Sequence, residues 1–262
     1  MLINTRIKLA LAFTLAYSTY GQAAAPTGAS EPSRPEVIRN LEQQGVEIMG
    51  EFQAPGGLRG FAGVSEGAPV TLYVTPDGAH VIAGTLLNSK GEDPSAAEVQ
   101  RLVVQPMSQR IWAQLERSHW VVDGDAKAKR VVYAFTDPNC PYCHRFWEAS
   151  RRWIQSGKVQ VRHILVGVIR ADSANKAAAI LTAKAPSDAF TLNEQRQAEG
   201  GIQGLEKIPA EVQAKLDENA RLMEGLGFQG TPGILFRDET GVVQSRSGMP
   251  APEDMRTVLG PF

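Results

Sequence analysis

The sequence predicts a two-domain chain of mixed α+β and α/β architecture. A small N-terminal antiparallel sheet with one helix is joined by a linker helix to a C-terminal β-α-β then β-β-α domain interrupted by a block of helices. Three observations predict this. Short apolar runs punctuated by turn residues fill positions 46–84, a spacing that suits strands and hairpins. Residues 92–118 carry apolar side chains at helical spacing. Beyond them, strand-like runs flank long helix-patterned stretches, the alternation expected of a sheet with crossover helices. The 262 residues, with 43% apolar composition, are enough for two domains with cores of their own.

Taken in order, the chain opens with Arg6 and Lys8 ahead of an apolar run from Leu9 to Tyr17, then Gly21, Ala23, Ala24 and Ala25. A basic start, a short hydrophobic stretch and small residues read as a secretory signal peptide over 1–25, cleaved near Ala23 to Ala25. The run is shorter than the roughly 20 apolar residues of a membrane span. The mature protein is therefore expected to be soluble in an oxidising compartment, with the bacterial periplasm the simplest candidate. Formal net charge is −1 for the whole chain and slightly more acidic without the leader, and no dense Lys/Arg block follows it. This composition argues against nucleic acid as a main partner.

Residues 26–90 form the N-terminal domain. After an Ala/Pro/Ser stretch comes a short helix at 35–44. Strand-like runs follow at 46–48, Phe52, 60–64, 70–74 and 81–83, broken by Ala54-Pro55-Gly56-Gly57 and Pro76-Asp77-Gly78. Alone, such a sheet holds a thin core, which favours self-association through an edge strand. Residues 91–119 form the linker helix, with Asp93-Pro94-Ser95 and Glu98 as a capping-box start and a kink or break at Pro106.

Residues 120–262 form the C-terminal domain. A buried strand at 131–135 runs into Thr136-Asp137-Pro138-Asn139 and then Cys140-Pro141-Tyr142-Cys143. The next helix places Cys143, Phe146, Trp147, Ser150 and Ile154 on one face and stops at Gly157. A strand at 159–168 and a helical block at 172–225 follow. Gly230-Thr231-Pro232-Gly233 then leads into a strand at 234–237, a turn at 238–241, a strand from Val242 and a terminal helix at 252–259.

Cys140 and Cys143 are the only cysteines. Across one helical turn their sulfurs can meet, so the pair can cycle between dithiol and disulfide. A helix N-terminus presents unpaired N–H groups and partial positive charge. Cys140, beside that cap, should ionise early, in the range of roughly 3.5–7.5 typical of such motifs. Pro141 suits the first helical position. Cys143, one turn inside, should be the less ionised resolving thiol. Two plainer readings compete. A zinc half-site lacks a second CxxC, and His80, His119, His144 and His163 are scattered. A purely structural bridge would close so small a loop that it hardly restrains the unfolded chain. No metal or other cofactor is expected beyond the Cys140–Cys143 redox pair.

A CxxC at a strand-to-helix junction resembles a thioredoxin-like redox centre. In that fold the X–Pro bond ahead of the third strand is cis and faces the active disulfide. Thr231-Pro232 fits that place, with Thr231 presenting its backbone to an extended substrate; otherwise a proline opening a strand is an ordinary turn device. Tyr142 would line the substrate groove or simply cover helix surface. Residues 135–147, FTDPNCPYCHRFW, resemble the active-site segment of the bacterial DsbC/DsbG thiol:disulfide interchange family. Residues 50–63, GEFQAPGGLRGFAG, are similar to the dimerisation domain of its DsbG branch. The Pro141-Tyr142 pair also points to that branch, since the DsbC branch typically carries Gly-Tyr and an additional structural disulfide.

The resemblance implies a homodimer joined through the N-terminal domains, with two thioredoxin-like arms facing a cleft. It implies a DsbD-type inner-membrane electron donor and protein substrates bearing wrong disulfides or sulfenylated cysteines. Disulfide isomerase, reductase and chaperone activities all belong to that family. Catalysis would fall to Cys140 and Cys143, and substrate binding to Pro141, Tyr142, Thr231 and Pro232. Two alternatives stand beside it: a DsbA-like dithiol oxidase, which also has Pro after the first Cys but normally lacks the N-terminal domain, and a redox-independent periplasmic chaperone.

Overall fold

The computed structural model describes residues 34–261. The expected leader, 1–25, and its cleavage site lie outside the described residues.

Helix α1 (Glu36–Gln43) precedes strands β1 (Glu47–Gln53), β2 (Arg59–Ser65), β3 (Ala68–Val74) and β4 (Val81–Ala83). They form one antiparallel meander in the order β1-β2-β3-β4. Glu66 and Gly67, both at positive φ, close the β2–β3 hairpin with Ser65 opposite Ala68. Such two-residue turns match the right-handed twist of the strands. Side chains alternate between the two faces of the sheet. Phe61, Leu72 and Val74 meet Ile38 of α1 on one face, while Phe52, Ala62 and Tyr73 point to the other.

The linker is a helix throughout: α2 (Ala96–Val99), a π-helical turn (Gln100–Val104) and α3 (Gln105–Arg117). The sequence predicts a kink or break at Pro106, but Val99, Gln100, Val104 and Gln105 all keep right-handed helical φ/ψ. Pro106 offers no N–H to the carbonyl four residues back, and the wider π turn just ahead of it takes up that irregularity without breaking the helix. The expected capping box does not form. Asp93 Oδ1 accepts the Ser95 N–H at 2.8 Å, the Ser95 hydroxyl is engaged by Tyr73, and Glu98 pairs with Arg101.

The two halves of this helix belong to different cores. Val99, Leu102, Val103 and Met107 pack under the N-terminal sheet with Phe52 and Tyr73. Ile111, Trp112 and Leu115 pack against Tyr133, Phe135 and Leu235 of the C-terminal domain. Ser108 Oγ also accepts the Val243 N–H at 3.1 Å. The helix is a shared structural member and not a bare spacer.

The C-terminal domain contains β5 (Trp120–Gly124), β6 (Arg130–Thr136), α4 (Pro141–Gln155) and β7 (Val159–Leu165). Helices α5 (Ser173–Thr182), α6 (Pro186–Gln195) and α7 (Ala210–Gly225) follow, then β8 (Gly233–Arg237), β9 (Val243–Ser247) and α8 (Met255–Leu259). The sheet order is β5-β7-β6-β8-β9, with β6 and β7 parallel and the other neighbours antiparallel. Helix α4 is the crossover between the parallel pair. Val132 and Ala134 face Phe146, Ile154 and Val258, beneath α4 and α8. Tyr133 and Phe135 face Trp112, Met223 and Phe228, beneath α3 and the end of α7. The helical block is a third cluster, in which Ile180, Phe190 and Leu216 pack on Trp147 and Leu165.

Strand β5 was not among the expected elements. Its buried Asp123 breaks the apolar pattern, and only the fold supplies the partners, Arg151 and His163, that make a carboxylate acceptable there.

Candidate active site

The apolar alternation of β6 ends at Thr136, and the chain turns through Asp137-Pro138-Asn139 to deliver Cys140 as the cap of α4. Asp137 is fully buried, and its carboxylate anchors the turn. It accepts the backbone N–H groups of Asn139, Val168 and Ile169 at 2.7–2.8 Å and the Ser173 hydroxyl at 2.8 Å. Asn139 in turn donates to Asp172 and Ser173 and accepts from the buried Lys176 ammonium at 2.7 Å. Lys176 also reaches the Gly200 carbonyl (2.7 Å) and Asp172 (2.9 Å). The residue ahead of the nucleophile is thus fixed to the helical block by a polar network with its members satisfied.

Cys140 has extended backbone, φ −79° and ψ 116°, and its sulfur accepts the Cys143 N–H at 3.3 Å. Pro141 is the first helical residue, where a missing N–H costs nothing. Tyr142 is 53% exposed, with the Arg145 guanidinium over its ring. Both cysteines are free thiols, 3% and 2% exposed. Their surface exposure is thus nearly the same; the deeper desolvation of Cys143 and the hydrogen bonds to Cys140 set them apart.

The hydrogen bond with the Cys143 thiol, aided by Thr231 and the Cys143 and Tyr142 N–H groups, holds Cys140 down to about 6 against the opposing effect of burial. Burial, and then the neighbouring Cys140, push Cys143 well above the ordinary thiol range. At neutral pH Cys140 is a thiolate and Cys143 a thiol, the division that nucleophilic attack followed by resolution requires.

The 229–232 loop closes the site from the other side. The Thr231–Pro232 peptide bond is cis. The Thr231 carbonyl accepts the Cys140 thiol at 3.3 Å, and the Thr231 hydroxyl is buried with no partner of its own. Cys140, Cys143 and Thr231 thus converge on one spot, with Pro141, Tyr142 and Pro232 around it. Exposed Val168 and Ile169 lie on the neighbouring loop and line a cavity of about 420 Å³ with Met223, Phe228 and Gly230.

Sequence reading missed Asp137, Asn139, Ser173, Lys176 and Glu194, the groups that hold this arrangement. Asp137-Pro138-Asn139 carried a signal only as a turn. Lys176 and Glu194 sit in helices that nothing local connects to the cysteines. His144 turns to Glu194, Nδ1 to Oε2 3.1 Å, and not toward the sulfurs. Among the described residues, no three His, Cys, Asp or Glu side chains are grouped to share a metal ion.

A family model described as a thioredoxin-like domain matches residues 122–261. The chain is 44% identical to the thiol:disulfide interchange protein DsbG of Pseudomonas aeruginosa, over 87% of this chain and 89% of that protein. It is 38% identical to DsbG of Escherichia coli, over 91% of this chain and 96% of the relative. Against DsbC of Escherichia coli the identity is 25%, over 90% of this chain and 91% of that protein. The matches to both DsbG proteins run through the N-terminal sheet and linker as well as the dithiol domain. A helix-capping CPYC dithiol on a thioredoxin-like sheet, with that extent of likeness, places the chain in the DsbC/DsbG thiol:disulfide interchange family, on its DsbG branch.

Proposed function

We propose that this protein is a periplasmic reductase and isomerase of protein disulfides, acting also on sulfenylated cysteines. The observation that carries the reading is the opposed ionisation of Cys140 and Cys143 at the cap of α4. The Cys140 thiolate attacks one sulfur of a substrate disulfide. That S–S bond breaks, a Cys140–substrate disulfide forms, and the displaced substrate thiolate takes a proton from solvent. On a sulfenic acid the same attack forms the mixed disulfide and displaces hydroxide, which leaves as water after taking a proton from solvent. Cys143 then loses its proton and attacks Cys140 Sγ, releasing the second substrate thiol and leaving the Cys140–Cys143 disulfide. In isomerisation, a different substrate thiol attacks the mixed disulfide and restores Cys140 instead.

Pro141, Tyr142, Thr231 and Pro232 would contact the substrate polypeptide, with the Thr231 backbone available once its carbonyl no longer accepts from the thiol. No cofactor is needed beyond the dithiol itself. Two electrons spent in each reduction must be resupplied, and a DsbD-type inner-membrane donor would provide them. Among the described residues no helix is long and apolar enough to cross a membrane, and the leader-like start supports export. The short edge strand β4, with Ile82 55% and the following Leu87 60% exposed, supports a homodimer formed through the N-terminal sheet. Such a dimer would set two dithiol domains around one cleft, a form suited to chaperone-like holding of unfolded chains.

The test is reactivation of a protein with scrambled disulfides by the reduced protein. Wild type should restore activity and Cys140→Ala should not. Cys143→Ala should still exchange but accumulate mixed disulfides. Full reactivation by Cys140→Ala would refute the reading. Aggregation protection that survives Cys140→Ala/Cys143→Ala would separate chaperone work from thiol chemistry.

A further inference from the structure

The loop between β7 and α5 carries a surface that the exchange steps do not use. Val168 and Ile169 are each 46% exposed and form one wall of the cavity of about 420 Å³. A single exposed aliphatic residue is ordinary on a soluble protein, whereas two adjacent β-branched residues on a cavity wall mark a contact surface.

This pair is held in place. Both backbone N–H groups donate to Asp137 Oδ2, at 2.7 and 2.8 Å, and Asp137 Oδ1 accepts the N–H of Asn139, the residue before Cys140, at 2.8 Å. One buried carboxylate therefore fixes the apolar shelf relative to the turn that delivers the nucleophile. Gly167 lets the loop press on α5, since a Cβ there would come within 2.5 Å of Ala174 Cα. The cavity floor is equally fixed. Met223 and Phe228 are buried, and a Cβ on Gly233, the residue after the cis proline, would meet the Phe228 ring at 2.7 Å. A surface already ordered loses little freedom when it is covered.

The reaction itself decides what comes here. Exchange joins a substrate cysteine to Cys140 Sγ, so a length of polypeptide must lie across the site. Gly230, on the rim of the cavity, directly precedes Thr231, whose carbonyl is 3.3 Å from that sulfur. Successive Cα atoms are about 3.8 Å apart and an extended chain advances about 3.3 Å per residue, so substrate residues within about two positions of the attacked cysteine reach the cavity. Among the described residues lining it, Glu224 is the one charged side chain, which leaves apolar surface as the recognition chemistry.

We propose that the Val168–Ile169 shelf is a substrate subsite, which takes an aliphatic or aromatic side chain from a residue within about two positions of the attacked cysteine. The protein thereby selects disulfides set in apolar segments, which a folded substrate buries and a misfolded one exposes. The subsite rests on Cys140 being the nucleophile of the functional reading above.

The test uses the full, reduced protein and two peptides, Leu-Leu-Cys-Leu-Leu and Ser-Ser-Cys-Ser-Ser with identical soluble ends, whose cysteine carries a chromogenic aromatic thiol in disulfide linkage. Cys140 attacks the peptide sulfur, that S–S bond breaks, and the coloured thiolate is released. Each rate is divided by the peptide's rate with free glutathione, which removes differences in intrinsic reactivity. Wild type should then favour the Leu peptide about tenfold, the scale of partly burying one apolar side chain. Val168→Ser/Ile169→Ser, which keeps both N–H groups for Asp137, should bring the ratio to within about twofold of unity. A wild-type ratio near unity, or a ratio unchanged in the double variant, would overturn the proposal. An unchanged ratio with altered sedimentation would give the shelf to a second copy of the chain instead. Should the double variant not fold, Ile169→Ser decides alone: a ratio lowered about threefold supports the subsite, and an unchanged one overturns it. Release from neither peptide by wild type would overturn the nucleophile assignment, and the subsite with it.

Discussion

The Cys140 sulfur lies 3.3 Å from the backbone carbonyl of Thr231, across 91 positions of sequence. A thiol can donate to that carbonyl and a thiolate cannot, so ionisation of Cys140 releases the Thr231 carbonyl as the nucleophile forms. Activation of the sulfur and freeing of a backbone acceptor for substrate are therefore one event. The Thr231 side chain, its hydroxyl buried without a fixed partner, is among the groups that favour the charged sulfur.

Replacing Thr231 by Val keeps the side-chain shape and removes that hydroxyl. The Cys140 midpoint should rise by about one pH unit, roughly tenfold less thiolate at pH values below it. Thiolate absorbance against pH checks this, and an unmoved midpoint would show that the hydroxyl does not act on the sulfur.

Alkylation of Cys140 should accelerate about tenfold per pH unit below pH 6 and level off above it, following the thiolate fraction. The same shift has a stability consequence. A thiol depressed from 9.0 to about 6 contributes stability that is complete above pH 9 and disappears as pH falls through 6. At pH 7 the contribution is about 1.4 kcal/mol to the reduced form. Chemical denaturation of the reduced protein at pH 5 and pH 7, with Cys140→Ala as reference, measures it; equal differences at both pH values would contradict the shift.

Behind the site, Asp123 binds the Arg151 guanidinium and lies 3.7 Å from His163 Nε2, whose Nδ1 meets Thr136 Oγ1 at 2.9 Å. Burial pushes Asp123 up, but His163 and Arg151 outweigh it and hold the carboxyl below its usual range. Burial keeps His163 below its ordinary value. Removing one member of a buried ion pair strands the other, so Asp123→Ala should cost about 3 kcal/mol by denaturant titration. In wild type, the His163 contribution is complete above pH 6.5 and declines as pH falls below it, and the Asp123 contribution declines only well below pH 4. In a Cys140→Ala background, which removes the thiol contribution, stability should thus begin to fall just under pH 6.5; a flat profile from pH 7 to 5 in that background would contradict this.

Ile82→Lys on β4 should turn the proposed dimer into monomer by placing charge on the edge strand, with the dithiol domain still folded. Sedimentation of wild type and variant checks it. A wild-type monomer would remove the dimer from the account.

What was legible in the sequence was what neighbouring residues determine. Cys140-Pro141-Tyr142-Cys143 after a strand specifies its own helix cap, and Pro76-Asp77-Gly78 specifies the turn between β3 and β4. The strand rhythm of the N-terminal sheet reads directly because each face is filled in alternation. What was not legible depends on partners far along the chain. Asp123 looks unsuited to a strand until Arg151 and His163 arrive beside it. Lys176 looks like a helix-surface cation until Asn139 is found against it. The linker reads as broken at Pro106 because the sequence does not show a π turn absorbing the lost hydrogen bond.

The most direct test of the proposed reductase and isomerase function is the redox state of Cys140 and Cys143 in cells, read by thiol trapping with and without the proposed inner-membrane electron donor. A reductase and isomerase should show a reduced pair that becomes oxidised when the donor is lost. A pair that is oxidised in both cases would contradict it and identify the dithiol as an oxidase or an inert bridge.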